Sequence, residues 1–381
     1  MLNKGEKMTV LYVNHEDGVV GGSSRSLDNL LESVKEYVSP VILLRSEGPV
    51  AEYFRSRGYE CVVHPFRRLT YKGGFLSRTV RFLPHLVTNT MINRRCVREV
   101  SSLLADRDIR IVHSNSGVID IGLFLARRLG ARHVWHIREY FDLGLGARPF
   151  RGFGRWMGEI KDSDAVILIS KGLRDHLGLS SYARAYCFPD AVRSRKDVVL
   201  DKDKERFFLF CAGEMGAVKR PETAISAFGK SGLSEKGYSL KFTGNCRPER
   251  KDELMLVAKE AGVESNVEFL GYVPDIKPLM TKAAAYLMCS EFEGLGRVTI
   301  EAMFYGCPVI ARRSGGTLEI IEDCRNGFFF DTEDECASLM VRMASEFPLE
   351  VVQEAQRNAV ERYSEEEYGR EIMSVYDNLT R

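Results

Sequence analysis

The chain has no apolar run of the roughly 18 residues that a membrane span requires. It also has no CxxC pair and no cluster of cysteine with histidine; its nine cysteines are scattered singly between Cys61 and Cys336. This pattern excludes a cysteine-based zinc site and favours reduced thiols in a cytoplasmic protein. The first residues, MLNKGEKMTVLYVNH, lead directly into a strand-like run, so we expect no signal peptide.

An excess of charge of one sign is absent as well, because 54 basic residues face 53 acidic ones. This balance argues against nucleic acid as a partner of the whole chain. Apolar residues make up 44% and charged residues 28% of the 381 positions. The composition is that of a globular protein with room for two domains, each with its own core.

Short apolar runs alternate with amphipathic segments such as Ser24–Tyr37 and Val50–Arg57. The alternation breaks at a charged stretch, Arg193–Arg206, and then starts again. It predicts an α/β fold of two Rossmann-like, doubly wound domains facing a cleft, with ligands beyond the carboxyl ends of the strands. The predicted strands are Thr9–Val13, Val41–Leu44, Cys61–Val63, Ile111–His113, Val134–Ile137, Ala165–Ile169, Phe207–Ala212, Ser239–Thr243, Val267–Leu270, Ala285–Cys289 and Val309–Ala311.

The segment Ser290–Ala311 carries the most specific pattern for a ligand site. A loop with Gly294 and Gly296 follows a predicted strand and leads into a predicted helix. Glycine lets the backbone approach a ligand, and the N–H groups that begin a helix suit a phosphate. Glu293 in the loop and Glu301 in the helix, with seven residues between them, suit the hydroxyl pairs of a sugar and of a ribose. An acidic helix start and an exposed loop glutamate explain either residue equally well by itself.

A second strand–loop–helix pattern spans Phe210–Phe228. Pro221 suits the first position of a helix, and Lys219 and Arg220 stand directly before it. Cations at this place can meet a diphosphate from the other side. The basic pair alone is typical of a solvated surface; its place after a strand, together with the first segment, favours a ligand site.

Two segments of the N-terminal half carry weaker patterns. Gly21 and Gly22 follow the first predicted strand and can bring N–H groups near a phosphate, although no GxGxxG fingerprint is present. The run HVWHIRE predicts a strand that ends in polar residues, so we expect His136, Arg138 and Glu139 to point into the cleft. A single histidine is more often structural, and Arg138 with Glu139 also suits a local ion pair.

Together these segments resemble the retaining glycosyltransferases of family 4, which have the GT-B fold. The resemblance covers nearly the whole chain. Its most specific part is Glu293 and Glu301 with the run EAMFYGCPVI, which matches the family's donor motif. Further matches are Gly315–Thr317 with Glu319, Asn326–Gly327, the run Asn266–Asp275 that holds the nucleotide base in the family, the HIRE run at His136, and Ser170.

The resemblance implies a division of the chain into an acceptor-binding domain, residues 1–190, and a donor-binding domain, residues 195–365. Residues 366–381 would form a helix that crosses back to the N-terminal domain. The reaction would transfer a sugar from a nucleotide diphosphate with retention of configuration, and the protein would position the reactants and stabilise the leaving diphosphate. No cofactor is implied, and a UDP-sugar is the expected donor.

The resemblance also implies roles for individual residues. His136 would line the reaction centre, Glu293 would bind sugar hydroxyls, and Glu301 would bind the ribose. The remaining donor contacts would be Gly22, Lys219, Arg220, Gly296, Arg297, Val298 and Thr299.

Two positions depart from the family's pattern. Glu214 follows Gly213 where an arginine is usual, and its carboxylate would repel a diphosphate. Either Glu214 turns away, or Arg220 or Arg297 supplies the second positive charge. Asp190–Ala191 replaces the usual Asn-Gly at the hinge. An inactive GT-B subunit that scaffolds a partner therefore stays an alternative, as does a sugar-nucleotide epimerase or hydrolase on the same fold.

The N-terminal half contains a local excess of basic and aromatic residues, because no acidic residue occurs between Glu60 and Glu99. That interval holds Arg67, Arg68, Lys72, Arg78, Arg81, Arg94, Arg95 and Arg98 among Phe66, Tyr71, Phe75, Phe82, Leu83, Leu86 and Met91; Arg148–Trp156 repeats the pattern. The pattern predicts docking on the anionic inner surface of a membrane, where a lipid-linked acceptor of cell-surface polysaccharide or glycolipid synthesis would be reached. Solvated arginines over core aromatics, with a soluble sugar acceptor, are the alternative.

We predict that transfer needs no divalent metal, because no DxD motif lies in a predicted cleft loop and basic groups would take the metal's role. The rate of sugar transfer should be the same with and without excess EDTA. A rate that vanishes with EDTA and returns with Mn²⁺ would contradict this expectation.

Overall fold

A computed structural model of the chain describes residues 7–71, 82–140, 148–291, 293 and 295–381. The chain forms two compact units. Unit 1 consists of Met1–Ala191 and Glu365–Arg381, and unit 2 consists of Val192–Ser364. The last segment of the chain therefore belongs to the same unit as the first.

Unit 1 is built on a parallel sheet of buried apolar strands. Its strands are β1 Met8–Asn14, β2 Val38–Leu44, β3 Glu60–Val63, β5 Ile109–Ser114, β6 Arg132–Ile137, β8 Ala165–Leu168 and β9 Ala185–Cys187; the short strands β4 Thr70–Tyr71 and β7 Arg148–Pro149 pair separately and antiparallel. The sheet order is β3-β2-β1-β5-β6-β8-β9. Its helices up to the unit boundary are α1 Gly22–Val34, α2 Pro49–Ser56, α3 Phe82–Leu103, α4 Ile121–Leu129, α5 Phe153–Lys161 and α6 Lys171–His176.

Unit 2 repeats the architecture with a parallel sheet of six strands. The strands are β10 Phe207–Glu214, β11 Ser239–Asn245, β12 Val267–Gly271, β13 Ala285–Met288, β14 Val309–Arg312 and β15 Phe328–Phe330, in the order β12-β11-β10-β13-β14-β15. The helices are α7 Pro221–Ser231, α8 Pro248–Glu260, α9 Lys277–Lys282, α10 Arg297–Phe304, α11 Thr317–Ile320, α12 Glu333–Ser345 and α13 Leu349–Tyr363.

Successive residues of a strand in unit 2 enter two different cores. Phe208 and Phe210 pack into one apolar cluster, whereas Phe207 and Leu209 pack into the other. Side chains alternate between the faces of a strand, so a sheet that is covered on both faces needs an unbroken apolar run. This requirement explains the sequence FFLF.

The predicted architecture of two Rossmann-like parallel α/β domains is confirmed. Every predicted strand is present, although β9, β15 and the pair β4–β7 were not predicted. The carboxyl-terminal region forms two helices. They are separated at Ser364, where the backbone is extended (φ −76°, ψ 152°) and the chain passes from unit 2 back to unit 1.

The final helix, α14 Glu365–Thr380, packs against α1 within unit 1. Tyr368 and Tyr376 are buried on its inner face. A Cβ atom added at Gly369 would lie 2.3 Å from the carbonyl oxygen of Ser33 in α1. Only glycine permits this approach of the two backbones. Within the described residues, no helix has the length and apolarity needed to cross a bilayer.

We predict that Gly369→Ala lowers the free energy of unfolding by about 1–3 kcal/mol, because the added methyl group forces α14 away from α1. Gly158→Ala is the matched control, because it replaces another helical glycine and its Cβ meets no atom within 4 Å. Urea denaturation of both variants measures the difference. Equal unfolding free energies for Gly369→Ala and wild type would show that the contact is not tight.

Candidate functional site

The loops after β10 and β13 mark the candidate site in unit 2. The strand order reverses between these two neighbouring strands, and ligands of open α/β sheets bind at such a switch point beyond the carboxyl ends. The first loop brings Lys219 and the second brings Glu293. The structure thus brings together the two segments, Phe210–Phe228 and Ser290–Ala311, whose sequence patterns predict a ligand site.

Lys219 and Glu293 form an ion pair between the amine and Oε1 of the carboxylate. The hydroxyl of Ser290 donates a second hydrogen bond to the same oxygen over 2.7 Å. Both charged side chains remain partly accessible, at 31% for Lys219 and 19% for Glu293. A negative ligand that entered here would compete with Glu293 for the lysine.

The loop that carries Glu293 is braced from the following βα connection. Gly316 N donates to the carbonyl oxygen of Glu293 over 2.8 Å, and the hydroxyl of Ser314 donates to the carbonyl of Ser290 over 2.7 Å. Gly296 ends the loop at φ +68°, a conformation that favours glycine. Gly294 lies outside the described residues.

Helix α10 begins directly after Gly296. The N–H groups of Thr299 and Ile300 donate back to the carbonyl of Gly296, over 2.9 and 3.3 Å. Thr299 is fully buried, while Arg297 and Val298 are partly exposed. An anion can therefore approach the helix end and its positive dipole at Arg297 and Val298, rather than along the whole of 296–299.

Glu301 lies on the second turn of α10 and binds a residue that the sequence analysis did not single out. Its carboxylate accepts from Arg193 Nη2 over 2.8 Å. Arg193 also lies over the ring of Tyr305 and donates from Nε to its hydroxyl. Arg193 begins the charged stretch at which the alternation of predicted elements breaks, so only its position in the fold reveals it.

Two further charged side chains, at the end of β10 and in the loop after it, face outward. Arg220, in a left-handed conformation before Pro221, lies 3.3 Å from Glu291, and both side chains are about half exposed. Glu214 is 69% exposed and lies 3.9 Å from Arg247. Two explanations were given for Glu214: it turns away, or another arginine supplies the second positive charge. The structure agrees with the first, because the side chain of Glu214 points outward.

In unit 1, the start of α1 already holds an anion of the protein itself. The Glu16 carboxylate accepts hydrogen bonds from the N–H groups of Gly21, Ser23 and Ser24, over 3.1, 3.3 and 2.8 Å. It also accepts from the hydroxyl of Ser24 over 2.5 Å. The place predicted for a phosphate near Gly22 is thus occupied by Glu16, and a phosphate would have to displace it.

His136 is completely buried near the end of β6. Its Nδ1 receives a hydrogen bond from the guanidinium of Arg138 over 3.1 Å, so the ring proton is on Nε2. Nδ1 also faces His113 Nε2 at 3.2 Å, which therefore donates. Burial, and then repulsion by Arg138, lowers the pKa of His136 well below its usual value. His136 stays neutral, and its catalytic role stays a prediction.

Arg138 joins the end of β6 to the last helix. Its Nε donates to Asp190 over 2.7 Å, and Nη1 donates to the side-chain oxygen of Asn115 over 2.7 Å. The hydroxyl of Tyr368 donates to the other oxygen of Asp190 over 2.9 Å. Asp190 and Tyr368 lie close to the two points where the chain leaves and re-enters unit 1. The network therefore joins the two segments of unit 1 near these points.

Glu139 is held by the loop after β5, which the sequence analysis did not consider. The hydroxyl of Ser116 and the N–H of Gly117 donate to its carboxylate over 2.6 and 3.1 Å. Burial raises the pKa of Glu139. The sequence also suited an ion pair between Glu139 and Arg138, but the side chain of Arg138 pairs with Asp190 instead.

Known proteins resemble this chain in sequence and in fold. Residues 192–346, most of unit 2, match the family model "Glycosyl transferases group 1". Anabaena HepE in complex with UDP superimposes with a TM-score of 0.77 at 16% identity, over 97% of this chain and 100% of that one. A glycosyltransferase of Rickettsia africae gives 0.78 at 14% identity, over 98% and 99%. The chain has the GT-B fold.

Curated glycosyltransferases also match at the level of sequence. The lipopolysaccharide core biosynthesis glycosyltransferase LpsE of Rhizobium meliloti is 34% identical over 86 residues, which is 23% of this chain and only 25% of that protein. An uncharacterised glycosyltransferase of Methanocaldococcus jannaschii is 22% identical over 312 residues, 81% of this chain and 80% of that one.

The basic and aromatic stretches of this GT-B protein divide into core and surface. Phe66 and Trp156 are buried, whereas Arg67 and Arg68 are exposed. Lys72, Phe75, Arg78 and Arg81 lie outside the described residues, as do the side chains of Tyr71, Phe82 and Leu83. Ser170, matched by the resemblance, accepts from Leu173 N over 3.2 Å and caps α6. No group of three or more potential metal ligands occurs in the described part of the chain.

We predict that the free energy of unfolding falls as the pH is lowered from 7 to 5. Burial lowers the folded-state pKa of four histidines, to about 3 for His15 and His133 and well below the usual value for His113 and His136. Only the unfolded chain then takes up protons below about pH 6.5, which costs up to about 1.4 kcal/mol per pH unit for each histidine.

Three carboxylates oppose this trend, because desolvation raises the folded-state pKa of Asp120, Glu139 and Glu159. They are fewer than the histidines, so the net change is a loss of stability. Urea denaturation at pH 7, 6 and 5 measures it. An unfolding free energy that is equal or higher at pH 5 would contradict the neutral, buried state of the histidines.

Proposed function

We propose that this protein is a retaining glycosyltransferase that transfers a sugar from a nucleotide diphosphate donor, with UDP-sugars as the expected class. One observation carries the proposal. Lys219 and Glu293 meet beside the start of α10, at the switch point of a unit that matches group 1 glycosyl transferases. A paired cation and carboxylate next to a helix N-terminus suit a diphosphate joined to a sugar.

Donor binding would exchange partners within the site. The diphosphate would take Lys219 from Glu293 and would also meet the N-terminus of α10. The released carboxylate of Glu293, still oriented by Ser290, would accept hydrogen bonds from sugar hydroxyls. The protein would thus stabilise the leaving diphosphate, the main requirement of this reaction.

Glu301 would bind the ribose of the nucleotide. Its side chain is 15% exposed and held by Arg193, which in turn is fixed by Tyr305. A carboxylate oriented in this way loses little conformational freedom when it accepts from a pair of hydroxyls. Arg193 would therefore act as a positioning residue.

The acceptor would be a sugar or a lipid-linked glycan of cell-surface polysaccharide or glycolipid synthesis, in the cytoplasm or at the inner membrane face. The similarity to LpsE, which is named for lipopolysaccharide core synthesis, supports this class. The outward direction of Glu214 supports an active enzyme over an inactive scaffold, because the carboxylate is exposed and close to Arg247 rather than to Lys219.

We expect Lys219→Ala to weaken UDP binding by about 2–5 kcal/mol, the usual effect of removing one partner of a shielded charge pair. The lower part of this range applies here, because Lys219 is 31% exposed. Glu301→Ala should weaken nucleotide binding, and Glu293→Ala should mainly lower turnover. Calorimetric titration gives the affinities, and UDP release from a panel of UDP-sugars, with acceptor sugars present, gives the turnover.

Lys230→Ala is the control, because it removes an exposed lysine of α7 that pairs with Glu333. It should behave as wild type. If Lys219→Ala binds UDP as tightly as Lys230→Ala, the assignment of Lys219 to the diphosphate is wrong. Wild type that releases no nucleotide from any donor would favour the scaffold.

A further inference from the structure

A groove on unit 1 lies outside the candidate site described above. Helices α3 and α4 and the segment 150–155 line it, and its volume is about 1030 Å³. Among its described lining residues, the charged ones are eight arginines and one aspartate. Its walls also contain apolar side chains such as Leu86, Phe124 and Phe150.

Carboxylates neutralise only part of this charge. Arg151 pairs with Asp120 and Glu159, and Arg155 approaches Glu159 within 3.5 Å. Both arginines therefore have acidic partners.

On the helices, Arg95 and Arg98 share Glu99, and Arg127 pairs with Asp162 over 3.0 Å. In the pairs of Arg95, Arg98, Arg127 and Arg155 the arginine side chain is more than half exposed, so the attraction is weak.

Among the described residues, the remaining three arginines of the groove have no acidic partner. Arg68, Arg94 and Arg128 form no ion pair with any residue that the structure describes; Arg128 donates only to the neutral hydroxyl of Ser101, over 2.8 Å. Eight cations thus meet four carboxylates, and the surface carries a surplus of positive charge. The near-neutral total of the chain makes this surplus local.

Exposed apolar side chains accompany the arginines. Val87 and Met91 on α3 are 55% and 65% exposed, and Phe153 at the start of α5 is 53% exposed. Arg94 and Arg95 follow Met91 by three and four positions, so they lie on the same side of the helix. Exposure of such apolar groups to water is unfavourable, whereas insertion at the boundary between lipid headgroups and acyl chains buries them.

We propose that this arginine groove docks on a bilayer that contains acidic phospholipids. Lipid phosphates would bind the guanidinium groups, which match them as bidentate donors, and Val87, Met91 and Phe153 would enter the headgroup boundary. The exposed apolar residues favour a bilayer over a soluble polyanion. The docking proposal does not depend on the proposed transfer reaction. If the protein also catalyses that reaction, docking would place it beside a lipid-linked acceptor.

Co-sedimentation with vesicles tests the proposal. The full chain should bind vesicles of phosphatidylcholine with phosphatidylglycerol, should not bind phosphatidylcholine alone, and should dissociate as salt screens the charges. The triple variant Arg94→Gln, Arg95→Gln, Arg98→Gln should bind about a hundredfold more weakly, because each basic residue contributes roughly fivefold near such a surface. The control Lys236→Gln, Lys251→Gln, Lys259→Gln, which removes the same charge from exposed positions of unit 2, should bind much more tightly than the triple variant.

A second variant separates a bilayer from a polyanion. Val87→Ser with Met91→Ser keeps every charge and should also weaken vesicle binding. If it binds as wild type while the arginine variant does not, the groove is a site for a soluble polyanion and the proposal is overturned. Equal binding to neutral and acidic vesicles, or equal binding by the two triple variants, overturns it too. UDP affinity of the arginine variant should be unchanged, so failure here is distinct from failure of the proposed transferase activity.

Discussion

The reversal of strand order between β10 and β13 determines where unit 2 can bind a ligand. Parallel strands deliver their loops to one edge of the sheet, and at the reversal the two neighbouring loops leave a crevice that no crossover helix fills. Lys219 and Glu293 meet there although they are far apart in sequence. The start of α10 at the same edge adds N–H groups and the positive end of a dipole. The proposed chemistry depends on this one topological feature.

In each unit, a carboxylate of the protein itself lies at or beside a helix N-terminus that suits an anion. In unit 2, Glu293 holds the lysine that a diphosphate would need; in unit 1, Glu16 occupies the N-terminus of α1. Such internal partners keep polar groups satisfied when no ligand is bound. They also mean that ligand binding is an exchange of partners, so its net free energy is smaller than the sum of the new contacts.

The fold was predictable because its strands are unbroken apolar runs, and the loops of the candidate site were predictable because glycine, cation and carboxylate follow those runs. The rest depends on contacts that sequence spacing does not show. Arg193 meets Glu301 only through the fold, and Glu16 reaches Ser24 only through the path of a loop. The burial of His136 follows from a sheet covered on both faces, where strand position alone gives no exposed side. The strands β9 and β15 have three residues each, too few to show a period.

We propose above all that Lys219 and its surroundings bind the second phosphate of a nucleotide. Calorimetric titration of UDP and UMP into wild type and Lys219→Ala tests it most directly, because the two ligands differ by that phosphate alone. The account predicts that wild type prefers UDP by about tenfold or more, in line with one charge-assisted contact of about 1.5–3 kcal/mol, and that the variant loses most of this preference. Equal affinities of UDP and UMP for wild type, or an undiminished preference in the variant, would contradict it.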